Sequence, residues 1–211
     1  MKPAEDFSKP EPPKTDKHQA IIAAATKVFL NNGYQNASMD SISCEAGVAK
    51  QTLYNYFGNK DALFFAVVEQ LCEFEKDSSL LSGDITSANL EATLKKYANN
   101  KLVDMVSKEN TALYRTIISE AIRFPSLGKR FFLSGMEKDR QLLVDFFTQQ
   151  HQAGNLNVDD PEQAASFFHG TLNGYFRPKL IMTDETPNPE EVQKYIDYCI
   201  KKLLDLYRPT T

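Results

Sequence analysis

Lysine, glutamine, tyrosine and asparagine at positions 50, 51, 54 and 55 form a set whose chemistry suits duplex DNA. Positions three and four apart share one side of a helix, so a helix through KQTLYNYF would present these four together. Gln51 and Asn55 match the N6/N7 pair of adenine, and Lys50 suits guanine or a phosphate. Tyr54 and Tyr56 each carry a stiff, nearly apolar arm tipped by a hydroxyl, which fits phosphate oxygens. Lys60 opens the next helix, where its ammonium and the free amides would make an anion site. Leu53 and Phe57, four apart, would turn inward with Val48. The plain alternative is a solvated helix with no partner, which has no use for tyrosines beside a lysine.

The elements around this segment are helices, and no stretch alternates convincingly as a strand. Asp16-x-x-Gln19 has the form of a capping box, and Ile21, Ala25, Val28 and Phe29 then line one face until Gly33 closes the helix. Ser38 caps a short second helix that bears Ile42 and ends at Gly47, and the third runs from 49 to 56. Two short helices about a tight turn make a helix-turn-helix, whose second helix can enter a major groove. Asn59 caps a fourth helix carrying Phe64, Val67, Val68, Leu71 and Phe74. Further helices fit 86–107, 110–123 and 126–152, the last interrupted by Gly128 and Gly135. Asp160-Pro161 and Asn188-Pro189 start two more with a cap and an N1 proline. The final helix spaces Val192, Ile196, Cys199, Leu203 and Leu206 as a 4-3-4-3 seam, which burial within one chain or a two-fold interface would explain equally. The expected fold is thus all-α, with about nine helices. Its expected parts are a disordered arm (1–14), a helix-turn-helix domain (15–60) and a larger helical domain (61–211).

Composition narrows the function without fixing it. The 211 residues carry a net charge of −4, yet Lys14 to Lys60 holds five lysines against Asp16, Asp40 and Glu45. That local excess permits a DNA contact without demonstrating one. No apolar run reaches the roughly 20 residues that span a bilayer, and the proline-rich start MKPAEDFSKPEPPK has no apolar signal core. Three scattered cysteines, Cys44, Cys72 and Cys199, suit reduced thiols, so a cytoplasmic protein without membrane partners is expected. His18, His151 and His169 have no ligand-spaced companions, and no glycine-rich nucleotide loop occurs. No catalytic group can be nominated, so neither an enzyme nor a cofactor is expected.

The run SMDSISCEAGVAKQTLYNYFGNKDALF resembles the DNA-binding domain of the tetracycline-repressor (TetR) family of bacterial regulators. Gly33-Tyr34, Ser38, Ile42, Ala46-Gly47-Val48, Leu53-Tyr54, Tyr56-Phe57, Lys60 and Leu63 carry the likeness. It continues more loosely through RTIISEAIRFPSLGKRFF and GTLNGYF, which are similar to ligand-domain segments of one branch. Two departures stand out: Ala49 where the family usually has Ser or Thr, and Ser43 where Ala is common. An alanine cannot cap, a loss of about 1 kcal/mol.

The resemblance implies a homodimer that binds a near-palindromic operator, most often as a repressor, and is released by a small-molecule effector. Its DNA-binding residues would be Ser38, Lys50, Gln51, Thr52, Tyr54, Asn55, Tyr56 and Lys60. The last two helices of each subunit would form a four-helix bundle through Phe168, Leu172, Phe176, Val192, Ile196, Cys199, Leu203 and Leu206. Phe64, Phe74, Tyr97, Tyr114, Phe124, Phe132, Phe168 and Tyr175 would line the effector pocket, although aromatic stripes at helical spacing also serve as plain core. Arg115, Glu120, Arg123 and His169 could add polar contacts to it. The rivals are a same-fold activator and a helical small-molecule-binding protein or enzyme that does not bind DNA.

Overall fold

The computed structural model describes residues 16–74, 78–183 and 185–209, with the side chains of 71–74, 78, 79 and 109 left aside. The expected N-terminal arm therefore lies outside the described residues. Among them there is no strand. Packing divides the chain into two compact units, Met1–Val67 and Val68–Thr211.

The first unit holds α1 (Asp16–Asn36), α2 (Met39–Glu45), α3 (Lys50–Phe57) and the opening turns of α4 (Lys60–Phe74). Its division from the second falls beyond residue 60 because Leu63, Phe64 and Val67 of α4 are buried with the N-terminal helices. Phe29, Tyr34 and Phe64 form the aromatic centre, with Phe64 4.8 Å from each of the other two rings. Ile21, Ile42 and Leu53 are fully buried beside them.

Local chemistry sets the helix ends. Gly33 sits at φ 72°, which breaks α1 near its end. Ser38 and Ser41 close a capping box at the start of α2: the Ser38 hydroxyl oxygen accepts from the Ser41 amide at 3.0 Å, and Ser41 Oγ accepts from the Ser38 amide at 3.1 Å. Gly47, at φ 64°, makes the turn into α3, a backbone conformation that a side chain would strain. Ala49 precedes α3 and supplies no side-chain cap. Asn59 Oδ1 accepts from the Ala62 amide at 2.8 Å and starts α4.

The second unit is larger. A short 3₁₀ turn (Ser78–Leu81) leads to α5 (Leu90–Val106) and α6 (Lys108–Ala121). α5 begins later than position 86 because Asn89 ties the preceding residues into a turn. Its side chain accepts from the Thr86 amide at 2.8 Å and donates to the Asp84 carbonyl at 3.0 Å. Next come α7 (Pro125–Phe131), a π-helical turn (Phe132–Glu137) and α8 (Lys138–Gln152). They run on without a break, so the interruption expected in this segment is the π turn around Gly135, while Gly128 lies inside regular helix.

α9 (Pro161–Gly174) and α10 (Phe176–Thr183) are likewise joined through Tyr175, and α11 (Pro189–Tyr207) ends the unit. Counting each joined set as one rod, nine helical rods are described. Asp160 and Asn188 cap as their types dictate, accepting from the Gln163 amide at 3.1 Å and the Glu190 amide at 2.9 Å. One continuous apolar core, from Leu94 and Tyr97 through Phe147 and Phe168 to Ile200 and Leu203, ties α5, α8, α9 and α11 together.

Candidate nucleic-acid interface and effector cleft

α3 is built to keep one side in and the other out. Leu53 is fully buried, Phe57 and Val48 are half-buried, and Lys50, Gln51, Tyr54 and Asn55 are exposed together. The outward stripe is already organised internally: Gln51 Nε2 donates to Asn55 Oδ1 at 3.0 Å, one turn on. Lys50 Nζ reaches back to Asp40 on α2 at 2.5 Å. That hydrogen bond holds the Lys50 ammonium above its ordinary pKa range. Asp40 is the residue that sequence reasoning missed here, a carboxylate set beside the cation that would meet a phosphate.

The other expected contacts divide. Thr52 and Tyr56 are half-buried on the flanks of α3, and the Tyr56 ring packs 6.1 Å from His18. Ser38 is exposed, with its hydroxyl engaged in the α2 cap. Lys60 is placed otherwise than the sequence suggests. Its ammonium donates to the Tyr34 and Ala37 carbonyls, each at 2.9 Å, and lies 4.3 Å from the centre of the Tyr34 ring. Those carbonyls lie where α1 ends and α2 begins, so the cation is held against backbone acceptors at that junction.

In the second unit a narrow cleft opens among α5, α6, α7, the π turn, α8, α9 and α10. Tyr97, Lys101, Tyr114, Phe131, Met136, Asp139, His169, Leu172 and Arg177 line it, and about 30 Å³ is open to the centres of water-sized molecules. Lys101 and Asp139 pair across it at 2.6 Å, both largely buried. The Arg177 guanidinium lies 4.3 Å from the centre of the Tyr114 ring. The Tyr114 hydroxyl in turn donates to Met136 Sδ at 3.3 Å. Burial pushes the His169 imidazole below its ordinary pKa; Asp139 opposes that shift, and Arg177, Lys101 and Arg140 add to it. Asp104, on the same rim, is pushed up by desolvation and drawn back by Lys101.

Tyr97 and Tyr114 are thus the expected pocket residues that line this cleft. Phe64 instead belongs to the core of the N-terminal unit. Phe168 is buried between Tyr97 and Phe147, each 6.2 Å away. Phe132 and Tyr175 are exposed, and Phe124 sits half-buried against Arg123. The Phe74 side chain lies outside the described set. Of the polar candidates, His169 lines the cleft, whereas Arg115 donates to the carbonyls of Leu180 and Ile181 near the end of α10. Glu120 is buried away from the cleft lining, and Arg123 is exposed.

Residues 21–67 match the model of the bacterial regulatory proteins of the tetR family. Residues 92–209 match that of the AefR-like transcriptional repressor C-terminal domain, more than half of the chain. The chain belongs to the TetR family. A regulator of this family from Mesorhizobium loti shares 30% identity, covers 92% of this chain and 97% of its own, and superimposes with a TM-score of 0.83. The flavonoid-responsive regulator FrrA shares 31%, with 92% and 98% covered and a TM-score of 0.76. Among curated relatives, the activator FasR of Mycolicibacterium smegmatis is 38% identical over 58 residues, 28% of this chain and 26% of FasR. YvkB of Bacillus subtilis is 23% identical over 79% of this chain and 85% of its own. The protein is therefore a TetR-family transcriptional regulator, and no helix among its described residues is long and apolar enough to cross a membrane.

Within this TetR regulator the seam of α11 faces the chain's own core. Ile196, Cys199 and Leu203 are buried, as are Phe168, Leu172 and Phe176, and Val192 packs against the same cluster. The core of the chain itself thus covers most of the side chains expected at a subunit interface. Leu206 alone of that set is exposed. A different stripe is left open on the two helices: Phe167, Gly170 and Gly174 of α9 and the adjoining Tyr175, with Tyr198 and Leu206 of α11.

Proposed function

We propose that this TetR regulator is a repressor that binds a near-palindromic operator as a homodimer and leaves it when a small effector occupies the cleft in the second unit. The observation that carries the reading is the outward stripe Lys50, Gln51, Tyr54 and Asn55, polar side chains that the core does not use. Lys50 and Tyr54 would fix α3 on the phosphates, while Gln51 and Asn55 exchange their mutual hydrogen bond for base edges. Thr52, Tyr56 and Ser38 flank that surface. Lys60 braces the domain from within. The stripe of Phe167, Gly170, Gly174 and Tyr175 with Tyr198 and Leu206 is the subunit interface of this proposal, because its large apolar side chains are left in water and its glycines allow close helix approach. The protein works by binding, in the cytoplasm where operator DNA lies.

Selection of the native protein against a randomised duplex library tests the reading. An enriched inverted repeat with half-sites about 10 base pairs apart, one turn of DNA, upholds it. Recovery of no preferred sequence overturns it in favour of a helical binding protein without a DNA role. The likeness of 58 residues to the activator FasR supports a second reading, activation from the same site. Transcription in vitro from a promoter bearing the selected operator separates the two by its sign.

A further inference from the structure

The cleft holds a cation whose pairing is incomplete. Arg177 uses Nε and Nη2 on a single acceptor, Asn173 Oδ1, at 3.3 and 3.2 Å. Its flat face rests on Tyr114, and among the described residues no carboxylate pairs with it. Asp139, a carboxylate of the same cleft, is already committed to Lys101 at 2.6 Å. A half-buried guanidinium with a free edge is a fork for a planar anion, which it grips through two parallel N–H groups. The walls beside it are apolar and aromatic: the Tyr97 ring is almost wholly buried, and Phe131 stands edge-on to Tyr114 at 5.1 Å. Leu172 and Met136 complete them. A neutral His169 on the rim adds a hydrogen-bonding group without a second cation.

We infer that the effector is a small aromatic carboxylate, its ring between Tyr97, Tyr114 and Phe131 and its carboxylate on the free edge of Arg177. This deepens the repressor reading and rests on the cleft being the effector site. The cleft is too tight as it stands. Its space of about 30 Å³ is far below the cavity, on the order of 150 Å³, that accepts a benzene ring. Entry must part the hydrogen bond from the Tyr114 hydroxyl to Met136 Sδ, and sulfur is a weak acceptor on a pliable side chain. Met136 and Gly135 lie in the π turn, where the backbone ladder is already irregular. A ring that enters beneath it pushes on the junction of α7 and α8, so occupancy and helix position change together.

The test is calorimetric titration of the full chain with sodium benzoate, phenylacetate and 4-hydroxybenzoate, each compared with its neutral amide. The expected result is binding of a carboxylate at least about tenfold tighter than its amide, lost in Arg177→Gln and partly kept in Arg177→Lys. Circular dichroism confirms that each variant folds. If acid and amide bind alike and Tyr114→Ala removes both, the cleft remains the effector site and the anionic class is overturned. If a carboxylate binds unchanged in Arg177→Gln and Tyr114→Ala, it binds elsewhere, and the cleft reading falls with the inference. If none of the carboxylates binds at millimolar concentration, the inference is overturned while operator binding, measured separately, stands.

Discussion

Asp40 shows how one residue can alter the meaning of another. The pattern of α3 puts Lys50 outward, and the structure agrees, but the ammonium is held by a carboxylate from the preceding helix. In water this pair is highly exposed and screened, so a phosphate must compete with Asp40 rather than meet an idle charge. Asp40→Asn is expected to raise affinity for the selected operator several-fold at low salt, with the gain shrinking as salt rises. Fluorescence anisotropy across a salt series reads it, and an unchanged affinity means that Lys50 does not touch the backbone. His169 gives a second case. Its folded pKa lies below the unfolded value near 6.5, so the folded state resists protonation. The stability tied to its neutral form is complete above that pH and is lost as pH falls through 6.5 toward the folded value. Asp139 and Glu137 face it with negative charge, while Lys101, Arg140 and Arg177 oppose its protonation. His169→Gln should therefore flatten the melting-temperature profile below pH 6.5.

At the scale of helices, what the sequence makes legible is what depends on near neighbours. Ser38, Asn59, Asp160 and Asn188 cap because a short polar side chain reaches an amide two or three residues on. Leu53 and the outward set of α3 follow from a single helical period. Lys60 escapes such reasoning, since its partners Tyr34 and Ala37 lie far back in the chain. So does the cleft, whose Lys101, Asp139, His169 and Arg177 come from α5, α8, α9 and α10 and share no periodicity. The α11 seam was readable as a buried face, but a heptad pattern reports that a side is covered and not by what. Lys60→Met separates the two roles of its ammonium. As a brace on two carbonyls, its loss should destabilise the N-terminal unit by about 1–3 kcal/mol in chemical denaturation. A variant with full stability and lost operator affinity would assign that ammonium to the phosphates instead.

At the scale of the whole molecule, the open stripe on α9 and α11 is the face available for the proposed two-fold pairing, since most of the α11 seam is covered by the chain's own core. Phe167, Tyr175, Tyr198 and Leu206 leave from about half to three-fifths of their surface in water, while Phe168, Phe176 and Cys199, each next to one of the first three, leave almost none. Large apolar side chains left in water on one side of two packed helices suit a partner surface, and two-fold pairing would bring the same face of a second copy against it. Introducing charge there tests the assembly without touching the core that α9 and α11 share. Phe167→Glu with Tyr198→Glu should convert the dimer to a folded monomer in analytical ultracentrifugation. Operator affinity should then fall by at least about a hundredfold, because each half-site must be held without the help of the other. Binding to a single half-site should stay close to the native value, since α3 and its stripe are unchanged. A double variant that remains dimeric and binds the full operator normally would place the interface elsewhere, and with it the geometry that sets two recognition helices on successive grooves.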